Sequence, residues 1–344
     1  MAPVFAQRVA DWQRTHGRSE LPWQNTRDPY RVWLSEVMLQ QTQVVTVLSY
    51  FARFLEKFPT VAALAAASED DVFALWSGLG YYSRARNMHR CAQKVVARFD
   101  GAFPRAAAQL MTLPGIGRST ASAISAFCFG ERVAILDGNV KRVLTRVLGF
   151  AADLSVAANE RALWDNATAL LPPAEAPEVI ARYTQGLMDL GATVCTPRKP
   201  NCLLCPVNDL CVAVREGGAE RYPVKTRKLK RTAEALWMLR AVDRAGRVWL
   251  EKRPARGIWS GLYCLPVFDD RDALVAALPP ASEAMADGTP FVHVLTHKDL
   301  HLHPITARLP NGVALSDQGR WFAAEDWPGL GLPAPVRKLL VEAS

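Results

Sequence analysis

No stretch of these 344 residues is apolar for long enough to span a bilayer. The first twelve, Met1 to Trp12, lack the basic flank and long apolar run of a secretory signal. Membrane insertion and export are therefore not expected, and the cytoplasm is the default compartment. Internal repeats and low-complexity tracts are missing too; the alanine-rich Ala62 to Ala67 reads as helix. Acidic residues are the scarcer charge, 33 against 41 basic ones, and the formal net charge of +8 favours a polyanionic partner. Cysteine is sparse, yet four of the seven crowd between positions 195 and 211.

Those four, Cys195, Cys202, Cys205 and Cys211, are spaced C-x6-C-x2-C-x5-C. Pro197, Pro200 and Pro206 lie among them, so the segment is neither a regular helix nor a central strand. Thiolates this close on a loop suit a shared metal centre. An iron–sulfur cluster and a structural zinc both remain open on spacing, although only one C-x2-C knuckle is present. A disulfide pair is the third reading, and nothing else in the chain points to an oxidising compartment. Cys91, Cys128 and Cys264 sit in apolar contexts and read as core.

Residues 1–215 read as helix after helix, with little period-two alternation. Phe5, Val9 and Trp12 mark an amphipathic N-terminal helix. Asp28-Pro29 is a cap followed by proline at the first helical position, leading to Val32, Trp33, Val37 and Met38 at helical spacing. Ser68 with Asp71 opens another helix. Leu79 to Tyr82 breaks the pattern, and Ser83 to Arg98 resumes it. Residues 216–233 form a basic linker, since Arg221 to Arg231 holds six basic residues and no acidic one. From 234 to 344 the period changes. Ala235 to Val242 and Arg247 to Lys252 are expected strands joined by a turn at Asp243 to Gly246. Val292 to Leu295 and Leu300 to Ile305 make a second pair, and Pro333 to Val341 a closing helix. The fold class is multidomain: an all-α region followed by a smaller α+β domain.

Three constellations carry chemistry. In Leu113-Pro114-Gly115-Ile116-Gly117, Gly115 and Gly117 permit a tight turn with exposed N–H groups. Ser119 and Thr120 then open a helix, Ala121 to Phe129, that Gly130 ends. Such amides can hold a phosphate, and a plain helix connector is the alternative. Asp137 follows about twenty residues later. It is an ordinary helix cap or a carboxylate projected beside whatever the hairpin holds. Glu36 interrupts an apolar helix face among Trp33, Val37 and Gln40. It is a solvated glutamate or, if partly buried, an acid of raised pKa.

Taken together, these residues resemble the helix–hairpin–helix DNA glycosylases that carry an iron–sulfur cluster, and within them the adenine DNA glycosylases. The strings are LPWQ (Leu21 to Gln24), SEVMLQQTQV (Ser35 to Val44), GLGYY (Gly78 to Tyr82), LPGIGRSTA (Leu113 to Ala121), ILDGNVKRV (Ile135 to Val143) and MDLGATVC (Met188 to Cys195). The resemblance runs almost end to end. It implies a six-helix subdomain over about 25–135 and a cluster subdomain from 1–24 plus 136–215. It also implies a [4Fe-4S] cluster on Cys195, Cys202, Cys205 and Cys211, and a Nudix-like lesion-recognition domain over 234–344. The implied substrate is double-stranded DNA with adenine opposite 8-oxoguanine or guanine. A monomer is expected, placed at the nucleoid if the source is bacterial.

The resemblance also assigns roles. Glu36 would protonate adenine and Asp137 would stabilise the sugar cation or attack it, with Asn139 orienting water or Asp137. Gln41 and Tyr81 would wedge into the helix as the base is flipped out. The hairpin amides at Gly115 and Gly117, with Arg198 and Lys199, would hold phosphates. Thr296 and His297 stand in a loop that usually reads Phe-Ser-His; here Leu295 replaces the aromatic. Endonuclease III, the alternative, is a glycosylase and lyase acting on oxidised pyrimidines. It places a lysine nucleophile where this chain has Ser119, and a serine cannot form a Schiff base. Lys141 could still trap an abasic product adventitiously. No clustered-glutamate Nudix box follows Gly257 to Leu265, so pyrophosphatase activity is not expected. His301 and His303 lack the companions a metal site needs.

Overall fold

The computed structural model describes residues 2–173, 177–227, 230–280 and 282–342; Lys228 and Leu229 of the expected linker lie outside them. Contacts divide the chain into two compact units, residues 1–65 with 90–228 and residues 66–89 with 229–344. Among the described residues no helix is long and apolar enough to cross a membrane.

The first unit is helical: α1 (Ala2–His16), α2 (Pro29–Leu39), α3 (Val44–Lys57), α4 (Val61–Ala66), the later turns of α6 (Tyr82–Phe99), α7 (Ala107–Leu110), α8 (Arg118–Phe129), α9 (Gly138–Leu148), α10 (Ala157–Ala169), α11 (Pro177–Thr193) and α12 (Val212–Arg215). Helix α2 starts where Asp28 accepts the Tyr30 N–H and Pro29 supplies its fixed φ. Its apolar positions Trp33, Leu34 and Met38 are fully buried. Burying a large apolar side chain stabilises by about 1.5–3 kcal/mol, so this face fixes the helix's rotation. Helix α1 lies along α11, where the Phe5 ring meets Tyr183 edge-on at 6.2 Å. Helix α8 begins at Arg118, earlier than expected: the Gly117 carbonyl accepts the Ala121 N–H, which leaves Ser119 and Thr120 inside the first turn. Between Cys195 and Cys211 the backbone forms irregular loop and two short 3-10 turns.

The second unit holds α5 (Glu69–Trp76) and the start of α6. Its sheet comprises β1 (Thr232–Asp243), β2 (Val248–Lys252), β3 (Tyr263–Cys264), β4 (Val267–Phe268), β5 (Met285–Asp287), β6 (Phe291–Val294), β7 (Lys298–Leu309) and β8 (Gly319–Phe322). Helices α13 (Arg271–Ala276) and α14 (Ala334–Val341) complete it. The strand order is β3-β2-β1-β7-β5, with β4 on β1, β6 on β7 and β8 on β2. The expected hairpins form: β1 with β2 and β6 with β7 are antiparallel. Strand β1 begins at Thr232, inside the span expected to be linker, because it pairs in parallel with β7 from Thr232↔Lys298 to Asp243↔Leu309. That long-range ladder was not expected, since nothing local encodes a partner so distant in sequence. Ser68 caps α5 through the Asp71 N–H, as its spacing predicts. Residues 66–89 are tied into this unit by Lys252–Asp70 (2.6 Å), Arg86 to the Ser260 carbonyl (2.6 Å) and Tyr82 to the Leu332 carbonyl (3.1 Å).

Candidate active site

Helix α2 displays Glu36 because its neighbours Trp33 and Val37 commit their face to the core. Asp137 is the N-cap of α9, its Oδ1 accepting the Val140 N–H at 2.7 Å. Glu36, Asp137, Asn139, Ser119 and Gln41 all line one cavity of about 1230 Å³. Asp137 is thus a helix cap and, in the same place, a carboxylate lining the cavity. Capping alone contributes about 1 kcal/mol and an exposed aspartate supplies it without desolvation, so the cap does not explain the burial.

The charge of Asp137 acts on Glu36. Burial, and secondarily the charge of Asp137, pushes Glu36 up to about 8. Asp137 is also raised by burial, but the N–H groups of Val140 and Asn139 and the charges of Arg142 and Lys141 pull the other way. Glu36 has no such counterweight, so it is the group held protonated near neutrality while Asp137 has donors that favour its anion.

Asn139 is held by Arg142, whose Nη2 donates to Asn139 Oδ1 at 2.9 Å and to the Gly191 carbonyl at 2.6 Å. Only a glycine fits at 191: a Cβ there would lie 2.6 Å from the Asn139 Cβ. Arg142 Nε also donates to the Cys195 carbonyl at 2.7 Å. One guanidinium thus joins the start of α9 to the cysteine loop. Sequence reasoning missed Arg142, and it missed Gln24, whose buried Nε2 has no hydrogen-bond partner and which also lines the cavity. Their signal was membership in the strings ILDGNVKRV and LPWQ.

Cys195, Cys202, Cys205 and Cys211 line a second, small cavity of about 20 Å³. Their charges interact with one another, and burial raises the thiols of Cys195, Cys205 and Cys211. Arg146, only 2 % exposed, donates to Cys195 Sγ at 3.3 Å, to the Thr196 carbonyl at 2.7 Å and to the Pro197 carbonyl at 3.1 Å. A buried cation facing a sulfur is offset by thiolate charge, so the donor set fits an anionic cluster. Among the described residues no three His, Cys, Asp or Glu side chains converge as a single ion requires. A polynuclear cluster spreads its thiolates around its own inorganic core instead. His303 stacks on Trp237, ring centroids 4.5 Å apart. Cys91 and Cys264 are buried as expected, while Cys128 is partly exposed.

The residues expected to meet nucleic acid occupy unusual backbone. Gln41, Tyr81 and Lys199 have φ of 58°, 48° and 47°, left-handed values that non-glycine residues rarely adopt, and Gly115 turns the hairpin at φ 75°. Arg198 and Lys199 are exposed on the loop between the first two cysteines. Gly117 has open space where a Cβ would stand. In the second unit the Tyr81 and Thr296 hydroxyls are 2.8 Å apart, and the His297 carbonyl accepts the Thr232 N–H. Leu295 packs against the sheet's core rather than standing free.

Three family models match the chain: a HhH-GPD superfamily base excision DNA repair protein over residues 34–168, the iron-sulfur binding domain of endonuclease III over 195–211, and a NUDIX domain over 237–342. The chain is 36 % identical to the adenine DNA glycosylase of Buchnera aphidicola subsp. Acyrthosiphon pisum, covering 98 % of this chain and 97 % of that one. It is 46 % identical to the Homo sapiens adenine DNA glycosylase over 61 % of this chain and 39 % of the human one. A solved thermostable thymine-DNA glycosylase superposes with a TM-score of 0.54 at 27 % identity, covering 62 % of this chain and 96 % of that structure.

Proposed function

This chain belongs to the adenine DNA glycosylase family of base-excision repair enzymes, with an iron–sulfur binding domain and a Nudix domain, and from that premise we propose how its residues act. Its substrate is adenine opposite 8-oxoguanine or guanine in duplex DNA, and it acts as a monomer. The observation that carries the mechanism is Glu36, raised to about 8, sharing a cavity with Asp137.

A stacked adenine is out of reach, so the nucleotide must enter the cavity extruded. At an ordinary pKa near 4.3 roughly one glutamate in 500 carries its proton at pH 7. At about 8, roughly nine in ten do. Glu36 donates that proton to adenine N7. The C1′–N9 bond breaks with its electron pair leaving on the base, and C1′ becomes cationic. The Asp137 carboxylate faces that charge, by electrostatics or by transient attack. Water adds at C1′ and its proton returns to the Glu36 carboxylate. Asn139, fixed by Arg142, orients Asp137 or the water. The free Gln24 N–H donor suits a base acceptor in the same cavity. Ser119, on the first turn of α8, offers no amine for a Schiff base, which supports base removal without strand cleavage.

Cys195, Cys202, Cys205 and Cys211 would hold the [4Fe-4S] cluster that this family carries. Through these four cysteines the loop would be held at four points as one rigid element, and the hydrolysis needs no electrons. Arg198 and Lys199 then meet phosphates from a fixed loop. Tyr81 and Gln41 enter the duplex, and Thr296 and His297 meet the base opposite adenine.

The test is single-turnover reaction on a duplex with adenine opposite 8-oxoguanine, strands resolved before and after alkali. Cleavage that needs alkali is the expected result. Strand nicking without alkali on an oxidised-pyrimidine duplex, with adenine untouched, would overturn the proposal in favour of the endonuclease III reading.

A further inference from the structure

Four arginines line the catalytic cavity: Arg18, Arg27, Arg142 and Arg182. Two are consumed within the protein. Arg18 pairs with the fully buried Asp189 at 2.7 Å, its backbone N–H donating to the same carboxylate at 3.0 Å. Arg142 donates to Asn139, Gly191 and Cys195. Arg27 and Arg182 are different. Both are exposed while lining the cavity, and neither has a hydrogen-bond or ion-pair partner among the described residues. They come from distant stretches of chain, Arg27 just before α2 and Arg182 on α11, so the fold and not local sequence brings them to one opening.

The cavity also holds two carboxyls, Glu36 and Asp137. An extruded nucleotide carries a phosphodiester on each side, and bringing two anions toward a cavity that contains carboxylates is unfavourable unless cations meet them. A guanidinium binds a phosphate through two parallel N–H donors and remains charged at any working pH. We propose that Arg27 and Arg182 form a clamp for the two phosphates flanking the extruded nucleotide. The clamp rests on the base-excision reading above. It recognises the phosphodiester alone, without reading the base, and engages only when a nucleotide has left the stack. It therefore differs from the backbone contacts of the hairpin and of Arg198 and Lys199, which an unextruded duplex also makes.

That difference supplies the test. Affinity is measured against salt concentration for full-length wild type, Arg27→Gln, Arg182→Gln and the double variant. One duplex carries a tetrahydrofuran abasic analogue opposite 8-oxoguanine, and the other is undamaged. Each phosphate contact contributes about 0.9 to the slope of log affinity against log salt. The expected result is a slope reduced by about one for each single variant and about two for the double on the analogue duplex, with no change on the undamaged one. Arg27→Lys and Arg182→Lys should keep the slope, because they keep the charge. An unchanged slope on the analogue duplex overturns the clamp. So does an equal reduction on both duplexes, which would make these residues general backbone contacts. Wild-type excision of adenine from the corresponding mispaired duplex is scored alongside. If wild type excises and the slopes do not move, the clamp alone fails; if wild type does not excise, the base-excision reading fails and the clamp with it.

Discussion

The Tyr81 hydroxyl lies 2.8 Å from the Thr296 hydroxyl, across 215 positions of sequence. Tyr81 is 47 % exposed with φ 48°, and the Arg84 guanidinium sits 5.4 Å from its ring centroid. Thr296 is held in turn by Arg231, which donates to its carbonyl at 3.1 Å. A residue expected to enter the duplex and one expected to read the lesion thus share a hydrogen bond. Such a bond contributes about 0.5–1.5 kcal/mol. In a double-mutant cycle on affinity for the 8-oxoguanine duplex, Tyr81→Phe and Thr296→Val should show a coupling of that size. Strictly additive losses would mean that the two residues act separately.

The raised pKa of Glu36 makes a pH prediction. The single-turnover rate should fall as pH rises through about 8, where the acid loses its proton. Stability follows the same group. A folded pKa above the unfolded one favours the fold below the unfolded pKa, near 4.5, and that contribution is lost as pH rises through about 8. Glu36→Gln cannot ionise. It should therefore lose excision by at least about a hundredfold while melting higher than wild type above pH 8. Thermal denaturation at pH 6 and pH 9 checks the second half, and a variant that melts lower at both would contradict the desolvated state of Glu36.

Asp137 is a helix cap and, in the proposed reaction, the anion facing the sugar cation, and substitution can separate the two. Asparagine caps a helix about as well as aspartate, whereas alanine loses about 1 kcal/mol. Asp137→Asn should leave thermal stability near that of wild type and abolish most excision. Asp137→Ala should lose both. Equal destabilisation by the two variants would show that the carboxylate charge, and not the cap, holds α9.

Arg146 and Arg142 should part company in the same way. Arg146 is buried against the Cys195 sulfur and three carbonyls. Arg146→Met should lower the cluster's visible absorbance per protein and the yield of folded enzyme. Arg142 touches the loop only through the Cys195 carbonyl and otherwise holds Asn139 and Gly191. Arg142→Gln should keep most of the absorbance and reduce the single-turnover rate. Cys202→Ser with undiminished absorbance and full activity would remove that residue from the ligand set.

Much of this was legible residue by residue. The caps at Asp28 and Ser68, the turn at Asp243 and the break at Gly80-Tyr81 are local events, set within a few residues by hydrogen-bonding side chains and backbone preference. Glu36 stood out because a carboxylate on an apolar stripe is anomalous wherever it falls. Arg142 and Arg146 did not stand out, since a basic residue in a helix is unremarkable until its partners are known. The parallel pairing of β1 with β7 was invisible for a related reason: period-two alternation identifies a strand but not its neighbour.

The sequence by itself determined which region is helical and which is strand-bearing, which faces are apolar, which thiolates share a loop and which family the motifs resemble, because each depends on short-range periodicity or on residue type. Only the tertiary structure decided that Glu36 and Asp137 share a cavity, that burial raises one while helix N–H groups and cations restrain the other, and that Arg142 and Arg146 serve the cysteine loop. Desolvation and charge coupling depend on distance through space. The chain supplies those distances only when helices far apart in sequence close around the same cavity.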